Sequence, residues 1–148
     1  MLFAAILALV LLFLHEGRKV QAQAELAAVQ ATLGALRSAA LLQDLHARAS
    51  AGRVGTVQQV LVTNPFELLR ARPGNYLGVL EAPQMLTIRP GSWFFDPDCG
   101  CVGYTPSEPR WLDSPVSAVA LRFKVRIGEG PLQLEALERY VWQGSPVN

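Results

Sequence analysis

Apolar residues are laid out in three ways along this chain. From Leu2 to Leu14 (LFAAILALVLLFL) they run without interruption, and the run ends at His15, Glu16, Gly17, Arg18 and Lys19. From Ala22 they recur at alternating spacings of four and three, at Ala22, Leu26, Val29, Leu33, Leu36 and Ala40, which is one stripe along a helix face. Further on the period becomes two. Val119, Leu121, Phe123, Val125 and Ile127 alternate with Ala120, Arg122, Lys124 and Arg126, the signature of a strand with one buried and one solvated face.

The elements follow from these patterns and from the turn residues between them. Residues 15 to 51 are rich in Ala, Leu, Gln and Arg, strong helix formers, and no proline precedes Pro65. Gly52 and Gly55 are stop signals. One helix is therefore predicted to run from the apolar segment to about Ala51. Thr56 with Gln59 forms a capping-box pattern, and Asn64-Pro65-Phe66-Glu67 has Asn as N-cap and Pro at the first helical position. Leu68 and Leu69 are expected to point that turn into a core. Pro73-Gly74-Asn75, Pro90-Gly91 and Pro97-Asp98-Cys99-Gly100 are turns that bound strands at Tyr76–Leu80, Ser92–Asp96 and Cys101–Tyr104. Alternation turns Trp93 and Phe95 to one face and Phe94 to the other. Leu132 to Trp142 reads as a further strand. The expected fold is α+β, a long N-terminal helix packed on a small antiparallel β-sheet. Residues 1–21 form an apolar anchor with its basic flank and 22–148 the domain, with its helix to about 51, linker and short helices over 52–72 and a β-region over 73–148. The stripe lasts under three heptads and lacks dense flanking charge, so it is expected to pack on its own domain rather than in a coiled coil.

Composition narrows the function. With 148 residues, the chain is too short for two ordinary domains. A formal net charge of +1 excludes a dedicated nucleic-acid binder, and 51% hydrophobic residues exclude disorder. At about 1.5 Å per residue the Leu2–Leu14 run spans roughly 20 Å, against a hydrocarbon core of about 30 Å. It reads as a membrane anchor. As a cleaved signal it lacks a preceding basic residue, and Arg18 and Lys19 stand between it and the one small-residue site, Ala22-Gln23-Ala24. The same two cations sit on the domain side of the run, the reverse of the positive-inside preference.

Candidate chemistry is sparse. Cys99 and Cys101 flank a single glycine. They form either a structural pair of turn cysteines, free or joined, or a redox pair, or part of a metal site; the only histidines, His15 and His46, lie on the predicted helix. Asp96, Asp98, Glu108 and Asp113 cluster in a loop-rich stretch but match no calcium-loop spacing. No phosphate loop, dinucleotide fingerprint, Gly-x-Ser-x-Gly or His-Glu-x-x-His occurs, so no catalytic residues, cofactor or metal are expected. The row Arg122, Lys124 and Arg126 is expected to be a solvated strand face, with an acidic partner as the alternative.

An apolar helix that continues into an amphipathic one, followed by a small proline-rich β-domain, resembles the type IV pilin and type II secretion pseudopilin superfamily. The resemblance rests on Ala31-Thr32-Leu33-Gly34-Ala35-Leu36-Arg37-Ser38-Ala39 in the helix. It extends to Asn64-Pro65-Phe66-Glu67-Leu68-Leu69, Pro73-Gly74-Asn75-Tyr76-Leu77-Gly78 and Pro90-Gly91-Ser92-Trp93-Phe94-Phe95-Asp96, in that order. It implies a single-pass subunit of the bacterial inner membrane, its domain in the periplasm. Its partners would be other pilin-like subunits and envelope components of a pilus or secretion machine, with calcium conceivable in a late loop. Members of that superfamily begin with a basic leader ending in Gly, cut and N-methylated by a prepilin peptidase, and carry a glutamate shortly after. Here residues 3 to 7 read Phe-Ala-Ala-Ile-Leu, with no acid in the apolar run. A start downstream of the true N-terminus would account for both the short run and the missing leader; an uncleaved relative that no longer polymerises in the usual way is the alternative. The competing function is a periplasmic adaptor tethered by an uncleaved helix.

Overall fold

The computed structural model describes residues 2–51, 64–81, 87–114, 120–126 and 133–147. It is an α+β fold. One helix, α1 (Leu2–Ala51), runs for 50 residues, about 75 Å at 1.5 Å per residue. Gly17 and Gly34 lie within it, and apart from the adjoining helix backbone neither has any atom of the described residues within 4 Å of where a Cβ would stand, so no close packing calls for a glycine there. Every side chain from Phe3 to Gln21 is exposed. Burial begins at Ala22 and follows the stripe: Ala22, Val29, Leu33, Leu36 and Ala40 are buried, and Leu26 packs half-buried against the same core. Asp44 takes the next position on that face, only 4% exposed.

Eight strands follow among the described residues: β1 (Tyr76–Val79), β2 (Ser92–Asp96), β3 (Cys101–Thr105), β4 (Leu112–Asp113), β5 (Leu121–Arg126), β6 (Gln133–Ala136), β7 (Tyr140–Trp142) and β8 (Ser145–Val147). They form a five-stranded sheet, β1-β2-β3-β5-β6, and a three-stranded sheet, β4-β7-β8. The single antiparallel sheet expected from sequence is thus two sheets, and the larger is mixed, because β1 pairs with β2 in parallel. The cause is local. Asn75 Nδ2 donates to Gly91 O (2.7 Å) and Trp93 N donates to Asn75 O (3.0 Å), so the two proline-glycine turns lie side by side and launch their strands in one direction.

The predicted strand over Leu132–Trp142 is broken in two. Its inward phase would run Leu134, Ala136, Glu138, Tyr140, Trp142, which would bury a carboxylate at Glu138. The chain bends there instead: Leu137 N donates to Arg122 O (2.9 Å), β6 stays in the large sheet, and β7 leaves for the small one. The Asn64 cap is formed, with its Oδ1 accepting from Phe66 N (3.1 Å), but the turn is a 3-10 turn over Pro65–Leu68. Phe66, not Leu68, is its buried anchor, and Leu69 packs at the edge of the core. With three residues per turn, Phe66 and Leu69 share a side and Leu68 does not. The Thr56–Gln59 pattern, the Gly52 and Gly55 stops, and Val119 and Ile127 lie outside the described residues.

The core lies between the α1 stripe and the inner faces of the sheets. Trp93 is its centre, with ring centroids 4.7 Å from Tyr104 and 5.9 Å from Phe66. Phe94 turns to the opposite face of β2 and is buried there too, its ring lying across Gly103 on β3.

Candidate functional site

The helix α1 divides into a bare segment and a bound one. The bare segment is the apolar run, with Phe3 88% and Phe13 81% exposed. Among the described residues no helix is long and apolar enough to cross a membrane; charge arrives at Glu16, Arg18 and Lys19. The bound segment is fastened by polar links as well as by the stripe. Trp142 Nε1 donates to Ala22 O (3.1 Å), and Glu25 Oε1 accepts from the Tyr104 hydroxyl (2.7 Å) and from Ser107 N (2.8 Å). Farther along, Arg37 Nη2 donates to Leu134 O (3.2 Å) on β6.

These links carry an electrostatic mark. Burial, reinforced by the adjacent Glu25 carboxylate, pushes the Tyr104 hydroxyl far above its ordinary value. Burial also raises Tyr140, whose oxygen accepts from Arg122 N (3.0 Å), and Tyr76, whose oxygen accepts from Asn64 Nδ2 (2.5 Å). Three phenols on three strands are thus kept protonated by the packing around them.

At the boundary between bare and bound helix, α1 and the β-region enclose a cleft of about 510 Å³. The helix contributes His15, Arg18, Lys19 and Gln23; the domain contributes Arg110, Trp111 and Gln143. Gln143 has φ 46° and Gly144 φ 83°, so both central residues of the β7–β8 turn are left-handed, as tight hairpin turns of this kind require. Nothing in sequence spacing connects Arg110 to Lys19. The signals that were present are the Trp111 beside it and an unusual Gln in a Gln-Gly turn.

No known protein family, curated protein or solved structure matches this chain. In outline, the long N-terminal helix with a small sheet is compatible with a pilin-like fold.

The other residues singled out from sequence are placed as follows. A disulfide joins Cys99 to Cys101 at the tip of the β2–β3 hairpin, with Cα atoms 5.2 Å apart. Asp96 is buried; its carboxylate accepts from Asp98 N (3.0 Å) and lies 3.5 Å from Arg122 Nη1. Glu108 pairs with Arg110 (3.1 Å) and Asp113 is exposed on β4, so the four acids of that stretch do not converge. Among the described residues no three His, Cys, Asp or Glu side chains come together. Of the cationic row, two side chains are described. Arg122 faces Asp96, Lys124 stands opposite Glu135 in register, and the Arg126 side chain is outside the described residues.

Proposed function

We propose that this chain is a pilin-like or pseudopilin-like structural subunit of a type IV pilus or type II secretion machine. It is held in the bacterial inner membrane by its N-terminal helix, with its domain in the periplasm. It works by packing that helix against the helices of partner subunits. The observation that carries this reading is the division of α1: a single rigid helix buries one face in its own domain from Ala22 onward and leaves every side of the apolar run uncovered. A run this apolar is costly to leave in water, at about 25 cal/mol for each Å² of apolar surface, so a bilayer or other helices are its natural surroundings. The resemblance of the three proline-bearing motifs points the same way.

The test separates the two parts of the helix. The full chain should pellet with inner membranes and resist carbonate extraction; release of intact, soluble full-length protein would reject the anchor. Ala8→Asp should abolish membrane retention and co-purification of envelope partners while leaving the domain folded. Val29→Arg should unfold the domain, because it places a charge under the sheet. Full partner binding by Ala8→Asp, with binding lost instead on Lys124→Glu, would reject helix packing in favour of the tethered adaptor.

A further inference from the structure

We propose that the cleft at the foot of the domain seats the headgroup of an anionic phospholipid. The proposal rests on the reading that the apolar run of α1 enters a bilayer, and it adds a specific lipid class and a specific seat. Position comes first. His15 directly follows the last apolar residue, Leu14, and Arg18 lies about 6 Å farther along the axis at 1.5 Å per residue. The headgroup layer on each side of a hydrocarbon core is itself about 6 Å deep, so the cleft mouth opens at headgroup level.

Charge comes second. Arg18, Lys19 and Arg110 all line the cleft and, among the described residues, no carboxylate does. Two acids are engaged with these cations from outside that lining: Glu16 holds Lys19 at 3.0 Å and Glu108 holds Arg110 at 3.1 Å. Both pairs are about half exposed or more, a setting in which ion pairs contribute little and exchange readily for a phosphate. A guanidinium offers two parallel donors to a phosphodiester, and the lining has one from the helix, Arg18, and one from the domain, Arg110.

The third observation concerns the remaining wall. Trp111 lines it as a nearly buried indole, the side chain that favours a membrane–water boundary. Gln143 lines it from a left-handed backbone position that glycine or asparagine would occupy with less strain. It adds to the lining an amide, able both to donate and to accept. An amide in a lining that also holds two guanidinium groups suits a headgroup carrying hydroxyls beyond its phosphodiester, as phosphatidylglycerol does.

The experiment measures flotation of the full chain with vesicles of phosphatidylcholine alone and of phosphatidylcholine mixed with phosphatidylglycerol. The expected result is binding to both, tighter to the anionic vesicles. Arg110→Gln should lose about five-fold of that preference. Arg110 is exposed and its ion pair with Glu108 is on the surface, so the variant folds, which circular dichroism verifies. Arg70→Gln, which removes an exposed charge outside the cleft, should keep the full preference. Equal preference in Arg110→Gln and the parent chain, or equal loss in Arg70→Gln, overturns the cleft as the seat. Equal affinity of the full chain in detergent for inorganic phosphate and for soluble glycerophosphoglycerol overturns the lipid in favour of a free anion, and tighter binding of the glycerophosphoglycerol supports the lipid. Failure to float with either vesicle is the distinct outcome that rejects the anchor itself, and the cleft proposal with it.

Discussion

The Tyr104 hydroxyl on β3 donates to the Glu25 carboxylate on α1 at 2.7 Å, joining helix and sheet across 79 positions of sequence. The same carboxylate oxygen accepts from Ser107 N, so it keeps a partner when the phenol is removed. Tyr104→Phe should therefore cost about 1.5–3 kcal/mol, the range for a hydrogen bond to a charged group, without leaving an unpaired acid. The variant also has a pH signature. In the folded chain Tyr104 holds its proton well above the ordinary tyrosine value of 10.0, whereas the unfolded chain releases it there. The folded state then binds more protons than the unfolded one, so its stability is intact below about pH 10 and falls as the pH rises beyond it. Tyr104→Phe should make that alkaline fall shallower. Urea midpoints measured from neutral to strongly alkaline pH decide the matter, and parallel slopes for the two proteins would refute it.

Gly103 faces Phe94 across the β2–β3 pair, and a Cβ there would stand 2.0 Å from Cζ of that ring. Gly103→Ala should destabilise the domain by about 1–3 kcal/mol or more through overpacking. Phe94→Leu alone loses packing, but the double variant should be less unstable than the two single losses added together. Additive losses in denaturant titration would mean that the ring and the glycine are not in contact.

Gly34 should be the opposite case. It lies inside α1 with open space where a side chain would go, so Gly34→Ala should raise stability by about 0.5–1 kcal/mol through helix propensity alone. Gly17→Ala lies upstream of the buried stripe and should leave the unfolding midpoint of the domain unchanged. A destabilised Gly34→Ala protein would reveal a partner packed on that side of the helix.

Ser92 and Thr105 are both buried hydroxyl residues with different circumstances. Thr105 Oγ1 donates toward Arg89 O (3.0 Å) and Ser92 O (3.2 Å), while Ser92 Oγ has no hydrogen-bond partner among the described residues. A buried hydroxyl without a partner carries a desolvation penalty of about 1–3 kcal/mol, so Ser92→Ala should be neutral or stabilising. Thr105→Val should be destabilising. Thermal unfolding of the two variants tests the contrast, and a clear loss in Ser92→Ala would contradict it.

The elements most legible in sequence are those specified by neighbours in the chain. The four-and-three spacing from Ala22 to Ala40 names the buried face of α1, and the turns at Pro73, Pro90 and Pro97 place β1, β2 and the β2–β3 hairpin. Legibility fails where a distant group decides. The parallel pairing of β1 with β2 depends on the Asn75 side chain reaching Gly91, which no turn propensity encodes. The division of Leu132–Trp142 depends on Glu138 falling in an inward phase, which shows only once the burial of the flanking residues is known. Asp44 extends the stripe but is polar, so an apolar pattern stops one turn short of it. The cleft is the clearest instance, because His15 and Arg110 meet only after the sheet has carried the domain back to the foot of the helix.

The bonds that fasten α1 to the domain are spread from Ala22 through Glu25 to Arg37, about 22 Å of helix at 1.5 Å per residue. Tension applied along the helix axis loads all of these attachments, and the apolar stripe beside them, at the same moment and in shear. Tension applied sideways at the upstream end reaches the Trp142–Ala22 bond first and peels the rest in turn. Forced detachment is governed by the barrier to unfolding, and that barrier differs with the direction of pulling. The domain is consequently a mechanically anisotropic body, strong along its own helix and weak across it.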